Sequence, residues 1–223
     1  MLPAGLLLLG FLVAGSGEGS LRVKTDVAEV QVFLDGQEVG QTPVTVTPVP
    51  AGRHRVTLMK AGYEDHVEEV EVQPGVTARV FVVMKQSNVA LPALPASYRT
   101  LHQHRAGACL GNLTVTAEAV DYRSDDDKDV FHIPIRTIRS VSRSMGSLPI
   151  SEFGVPWRVP ADLTGCRLET PGRSYGFFAV EGEFKSAKEV KFQDTAKKTK
   201  ELFEIVYRLW QDSVSAAKKP AVE

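Results

Sequence analysis

The sequence predicts a mainly β protein built as two units, the second of them closed by an α-helix. Three observations lead there. From Ser20 to Gln86 apolar and polar residues alternate in short runs, and a period of two belongs to strands with one buried and one wet face. Turn residues punctuate those runs at Asp35-Gly36, Gly40, Pro43, Pro50 to Gly52, Gly62 and Pro74-Gly75. Towards the C-terminus the period changes, and Leu202, Phe203, Val206, Leu209 and Trp210 fall on one stripe of a helix. Lys198, Glu201, Glu204, Arg208 and Gln211 lie between them, with Glu204 and Arg208 paired four apart on the polar side. A length of 223 residues also fits two modest cores better than one large one.

The first segment, residues 1–17, carries no charged side chain before Glu18. Its apolar run matches a signal-peptide core and is short of the ~20 residues that span a bilayer. Small residues Ala14, Gly15 and Ser16 follow, so a cut near Gly15 to Gly17 is expected; an uncleaved anchor fits the same segment. "LVAGS" resembles a bacterial lipoprotein box with Ser16 in place of the lipidated cysteine, so no lipid anchor is expected. The expected location is exported, periplasmic or extracellular.

In residues 20–86, Val30, Val32 and Leu34 alternate with Gln31 and Asp35, and His54, Val56 and Leu58 alternate with Arg53, Arg55 and Thr57. The ordered set Asp35, Gly36, Gly40, Thr42, Pro43, Gly52, His54, Gly62 and Tyr63 resembles a PEGA domain. The Pro-x-Gly-Ala for which the family is named is replaced here by "DVAEVQV". These residues turn or stop strands: Asp-Gly supplies positive φ for a hairpin, and proline ends pairing because it has no N–H. The resemblance implies a small extracytoplasmic β-sandwich with no reaction common to the family.

Residues 87–96, "SNVALPALPA", read as a Pro-rich, semi-rigid linker. Residues 97–212 hold further strands and then the helix, and residues 213–223 read as a flexible tail. A run of antiparallel strands closed by one amphipathic helix is most simply a bent sheet plugged by that helix. The stretch from His102 to Val141, with Leu113 and Val115 on one strand and the Ile138/Val141 pair after another, resembles the bacterial pleckstrin-homology-like and GRAM-like domains. That resemblance implies a PH-like bent sheet or barrel capped by the C-terminal helix.

Chemistry is sparse. With 26 basic and 27 acidic side chains there is no basic footprint for nucleic acid. No Gly-x-Ser-x-Gly, Walker loop, His-Glu-x-x-His or Cys-x-x-Cys occurs, so no enzyme activity and no cofactor are expected. His102 and His104 share a strand face, with His132 on another strand, and these three are the only candidate ligands for zinc or copper. No carboxylate or cysteine reinforces them at a fitting spacing, and bland strand-edge histidines are the preferred reading. Cys109 and Cys166, in an exported chain, are a disulfide candidate worth about 4 kcal/mol, or else two buried thiols.

Asp125, Asp126, Asp127 and Asp129 lack the alternation of a calcium loop and read as a solvated hairpin tip. Arg136, Arg139 and Arg143 read as a surface charge stripe rather than a phosphate site. The function expected is that of a non-catalytic, exported binding or scaffold protein of the bacterial cell envelope, with a protein or envelope polymer as partner. The alternative is a small-ligand or metal carrier using the second unit.

Overall fold

The computed structural model describes residues 17–104, 107–145, 164–184 and 196–218. The expected signal peptide lies outside the described residues except for Gly17. The chain is mostly β, with a helix at its C-terminal side.

The first unit comprises β1 (Glu18–Thr25), β2 (Gln31–Leu34), β3 (Gln37–Gln41), β4 (Val44–Pro50), β5 (Gly52–Met59), β6 (His66–Val72) and β7 (Thr77–Val82). They form two sheets, ordered β4-β1-β7 and β3-β2-β5-β6. Leu21, Val23, Val32, Val49, Val56 and Leu58 are fully buried in their common core, as the period-two pattern requires. The β2–β3 hairpin turns on Asp35 and Gly36, whose φ angles of 50° and 83° are the pair of positive values that a two-residue turn of this kind needs.

Asp35 has a second task. One carboxylate oxygen accepts the Arg55 N–H at 2.8 Å, and the other lies 2.7 Å from His54 Nδ1. His54 Nε2 in turn lies 2.7 Å from the Pro50 carbonyl oxygen. Two acceptors on one ring are satisfied together only by the imidazolium, which donates from both nitrogens. Burial alone would lower the His54 pKa, but Asp35 and the Pro50 carbonyl outweigh it and the value rises above the ordinary histidine value. A raised histidine pKa contributes stability that is complete below the unfolded value and is lost as pH climbs through the folded value. The unfolding midpoint of the wild type should therefore fall as pH rises through and above the ordinary histidine value of about 6.5. His54→Asn should lack that part of the pH profile, and identical profiles would refute the imidazolium bridge.

The second unit comprises β8 (Ala96–Gln103), β9 (Ala108–Val115), β10 (Ala119–Ser124), β11 (Val130–Pro134), a single 3-10 turn at Ile135–Thr137, β12 (Ser140–Met145), β13 (Thr164–Thr170), β14 (Arg173–Val180) and α1 (Ala196–Lys218). The strands make one sheet, ordered β11-β10-β9-β8-β14-β13-β12, that curls into a half-barrel. On its inner face Leu113, Val115, Tyr122, Leu168 and Phe177 meet Leu202, Phe203, Ile205 and Val206 of α1.

Gln31 and Thr57, on the expected wet faces of β2 and β5, are buried, as is Arg143 of the expected surface stripe, and the structure departs from the sequence reading at four further places. Helix α1 runs to Lys218, so residues 213–218 of the expected tail are helical. The expected linker is tied down: the Ser87 N–H donates to the Gly62 carbonyl at 2.9 Å, Leu91 packs against the second core, and Ala96 already belongs to β8. Glu204, placed by helical spacing on the wet face, is buried. The fourth concerns Cys109 and Cys166, which are free thiols. Cross-strand register sets Cys166 opposite Phe177, Phe177 opposite His102, and His102 opposite Cys109. Three strand spacings separate the cysteines, about 14 Å along the sheet, whereas a disulfide tolerates at most about 7 Å between Cα atoms.

Candidate functional site

Residues directly opposite one another in an antiparallel sheet share a face, so the row from Cys166 to Cys109 points inward as one set. His104, two residues beyond His102, joins that face. Asp129 reaches it from the hairpin after β10, where its N–H donates to Ser124 Oγ at 3.0 Å and its carbonyl accepts the Ser124 N–H at 2.8 Å. The result is a tight polar group. His102 Nδ1 lies 3.7 Å from Cys109 Sγ and 3.7 Å from Asp129 Oδ2. His104 Nε2 lies 3.2 Å from the same carboxylate oxygen, and the Cys109 thiol donates to it at 3.3 Å.

Aromatic rings wall the group in. His102, only 2 % exposed, has the rings of Phe131, Tyr122 and Phe177 at 4.8, 5.4 and 5.4 Å. The Tyr122 hydroxyl lies 3.2 Å from Cys109 Sγ. Gly111 permits this closeness, since a Cβ there would come within 2.6 Å of that hydroxyl and 2.3 Å of the Arg123 carbonyl. Burial, helped by the neighbouring His104, pulls the His102 pKa down to about 4. Burial and the Asp129 carboxylate push the Cys109 thiol up to about 11. At neutral pH the ring is neutral and the thiol protonated.

Of the residues singled out from the sequence, His102 and His104 come together as expected. His132 does not join them: it opposes Asp121, 2.6 Å away, on the outer face of the sheet. Cys109 and Asp129 are the reinforcing cysteine and carboxylate that sequence spacing did not show. The other acidic residues of that hairpin are engaged locally. Asp125 pairs with Arg99, Asp127 with Arg123 at 2.8 Å, and Asp126 accepts from Ser124 at 2.8 Å. The three arginines do not converge either. Arg136 and Arg139 are exposed while Arg143 is buried.

Arg143 belongs to a seam between the two units. Its guanidinium meets both Asp65 carboxylate oxygens, at 3.2 and 3.1 Å, and its backbone N–H donates to Gln31 Oε1 at 3.2 Å. From α1, Lys200 donates to the Tyr63 carbonyl at 2.9 Å, and the Glu204 carboxylate accepts the Gly62 N–H at 2.8 and 2.9 Å. The Gly-Tyr turn of the first unit is thus the knob that the second unit grips.

The outer surface of the β4-β1-β7 sheet is differently made. Register pairs Arg22 with Arg79 and Lys24 with Phe81, all four exposed, Phe81 at 67 %. Among the described residues β7 pairs with β1 alone, so its other edge is open.

Comparison with known proteins identifies residues 18–88 as a PEGA domain. No curated protein matches the chain. Among solved structures, the chain is similar to the C-terminal domain of an unknown protein from Leishmania infantum, with 12 % identity over 53 % of this chain and 84 % of that one at a TM-score of 0.35. A likeness that loose carries no argument about fold or function. No helix among the described residues is long and apolar enough to cross a membrane.

Proposed function

We propose that this PEGA-domain chain is a non-catalytic, exported scaffold protein of the bacterial cell envelope, and that its β module takes an extended acidic segment of a protein partner along the open edge of β7. Export rests on the uncharged apolar start and on the company PEGA domains keep. The second unit is read as pleckstrin-homology-like. In support, β8 to β11 form a meander, β14 returns to pair with β8, and α1 closes the inner face. The non-catalytic reading is supported at Cys109, where a protonated thiol beside a carboxylate is the reverse of the electropositive setting that activates a nucleophile.

The observation that carries the partner reading is the face bearing Arg22, Lys24, Arg79 and Phe81 beside an unpaired strand edge. An open edge offers backbone donors and acceptors to an added strand. Adjacent cations select negative charge and speed its approach, while the exposed phenyl ring adds apolar area. The test is capture from the envelope fraction on immobilised full-length chain, comparing wild type with Arg22→Glu/Arg79→Glu and with Phe81→Lys. All three positions are exposed, so the variants should keep the wild-type melting temperature. A protein retained by wild type, and lost at least about tenfold by both variants, is the expected result. Capture unaffected by either change, or capture of a polysaccharide in place of a protein, would overturn it.

A further inference from the structure

We propose that His102, His104, Cys109 and Asp129 form a four-ligand zinc(II) site on the inner face of the half-barrel. The donor set is two imidazoles, one thiolate and one carboxylate, a combination suited to a borderline-soft divalent cation and ill suited to magnesium or calcium. Ligand bonds of about 2.0–2.3 Å in a tetrahedron leave neighbouring donor atoms about 3.3–3.8 Å apart. Four pairs here lie at 3.7, 3.7, 3.2 and 3.3 Å. All four donor atoms lie within 4.8 Å of one another, and the two remaining pairs both involve His104, whose side chain is 36 % exposed and free to close in.

Charge and burial agree with the geometry. A dication with one thiolate and one carboxylate is neutral, the arrangement that a water-poor pocket walled by Tyr122, Phe131 and Phe177 tolerates best. His102, 2 % exposed, already has Nδ1 turned into the group. Binding is balanced by one proton: the Cys109 S–H bond breaks, the sulfur lone pair goes to the metal, and the proton leaves to solvent. The Tyr122 hydroxyl, 3.2 Å from the sulfur, is placed to hydrogen-bond the resulting thiolate. With four protein ligands the site is closed, so the role inferred is structural: it ties the β8–β9 turn to the β10–β11 hairpin. This inference stands apart from the partner reading of the PEGA domain.

The experiment uses the full chain stripped with a chelator, titrated with Zn²⁺ against a chromophoric competitor while released protons are counted, and repeated with Co²⁺ for its visible spectrum. Expected are one metal per chain, release of about one proton, and with cobalt the intense bands of a tetrahedral, thiolate-bound ion. Cys109→Ser and Asp129→Asn should each weaken zinc binding on the order of 100-fold or more, the serine variant also losing the sulfur-to-cobalt band. Both positions are partly exposed, and unchanged metal-free circular dichroism establishes that the variants fold. His132→Asn should bind as wild type does. Absence of stoichiometric binding in the wild type, wild-type affinity in Cys109→Ser, or loss of binding in His132→Asn would each overturn the site.

Discussion

Replacing Phe203 by alanine should destabilise the chain by about 3–5 kcal/mol, a large part of the 5–15 kcal/mol typical of a folded protein. Phe203 is 2 % exposed and sits in the second core beside Leu202 and Val206. The Arg143 guanidinium lies 5.5 Å from its ring centroid, so the change also removes a cation–π contact next to the seam. Trp210, on the same stripe, is only half-buried, although its indole N–H donates to the Ile138 carbonyl at 3.0 Å. Trp210→Ala should cost less, about 2 kcal/mol. Lys198 pairs with Glu201 one turn on, and its replacement by alanine should cost no more than about 0.5 kcal/mol. Urea denaturation of the three variants checks the ranking. An unchanged midpoint for Phe203→Ala would mean that the apolar stripe of α1 is an exposed docking face and not part of the core.

The second large effect belongs to the seam. Asp65→Ala should cost about 3 kcal/mol, because it removes the carboxylate from a guanidinium already taken out of water. Arg143 is 2 % exposed, and Asp65 meets two of its nitrogens as well as Lys200 at 3.4 Å. The penalty should be largely absent from Arg143→Met/Asp65→Leu, in which neither charge is buried. A double-mutant cycle followed by thermal unfolding separates the two contributions. Since Asp65, Gln31 and the Gly62–Tyr63 turn supply the first unit's share of the seam, Asp65→Ala should also split a single unfolding transition into two. If Asp65→Ala and the double variant lost the same amount, the pair would not be coupled, and the seam would be mere contact.

The fold was largely legible in the sequence and the polar site only half so. Period-two alternation gave the buried face of β1, and the 3.6 period gave the inward face of α1, whereas β2 and β5 are covered on both faces, with Gln31 and Thr57 buried as well as Val32 and Leu58. The Asp35-Gly36 turn was readable because its requirement, positive φ at two successive residues, is local. Where a pattern depends on residues within one turn or one strand, the amino acids themselves carry the answer.

What the tertiary structure alone decided are the partners of charged and sulfur-bearing side chains. The sequence by itself determined that His102 and His104 share a face, because alternation is a property of any strand. It could not place Asp129, 25 residues beyond His104, against them, nor hold Cys109 three strands away from Cys166. The first follows from the register of β8 with β9 and of β9 with β10, the second from that of β8 with β9, of β8 with β14 and of β13 with β14. Arg143 and Asp65, 78 residues apart, meet only because the two units dock. Glu204 shows the same limit within a helix: its spacing fits a solvated pair with Arg208, but the Gly62 N–H of the other unit turns it inward. Periodicity tells which way a side chain points, whereas register and docking are sums of many weak long-range contacts, and these decide what it points at.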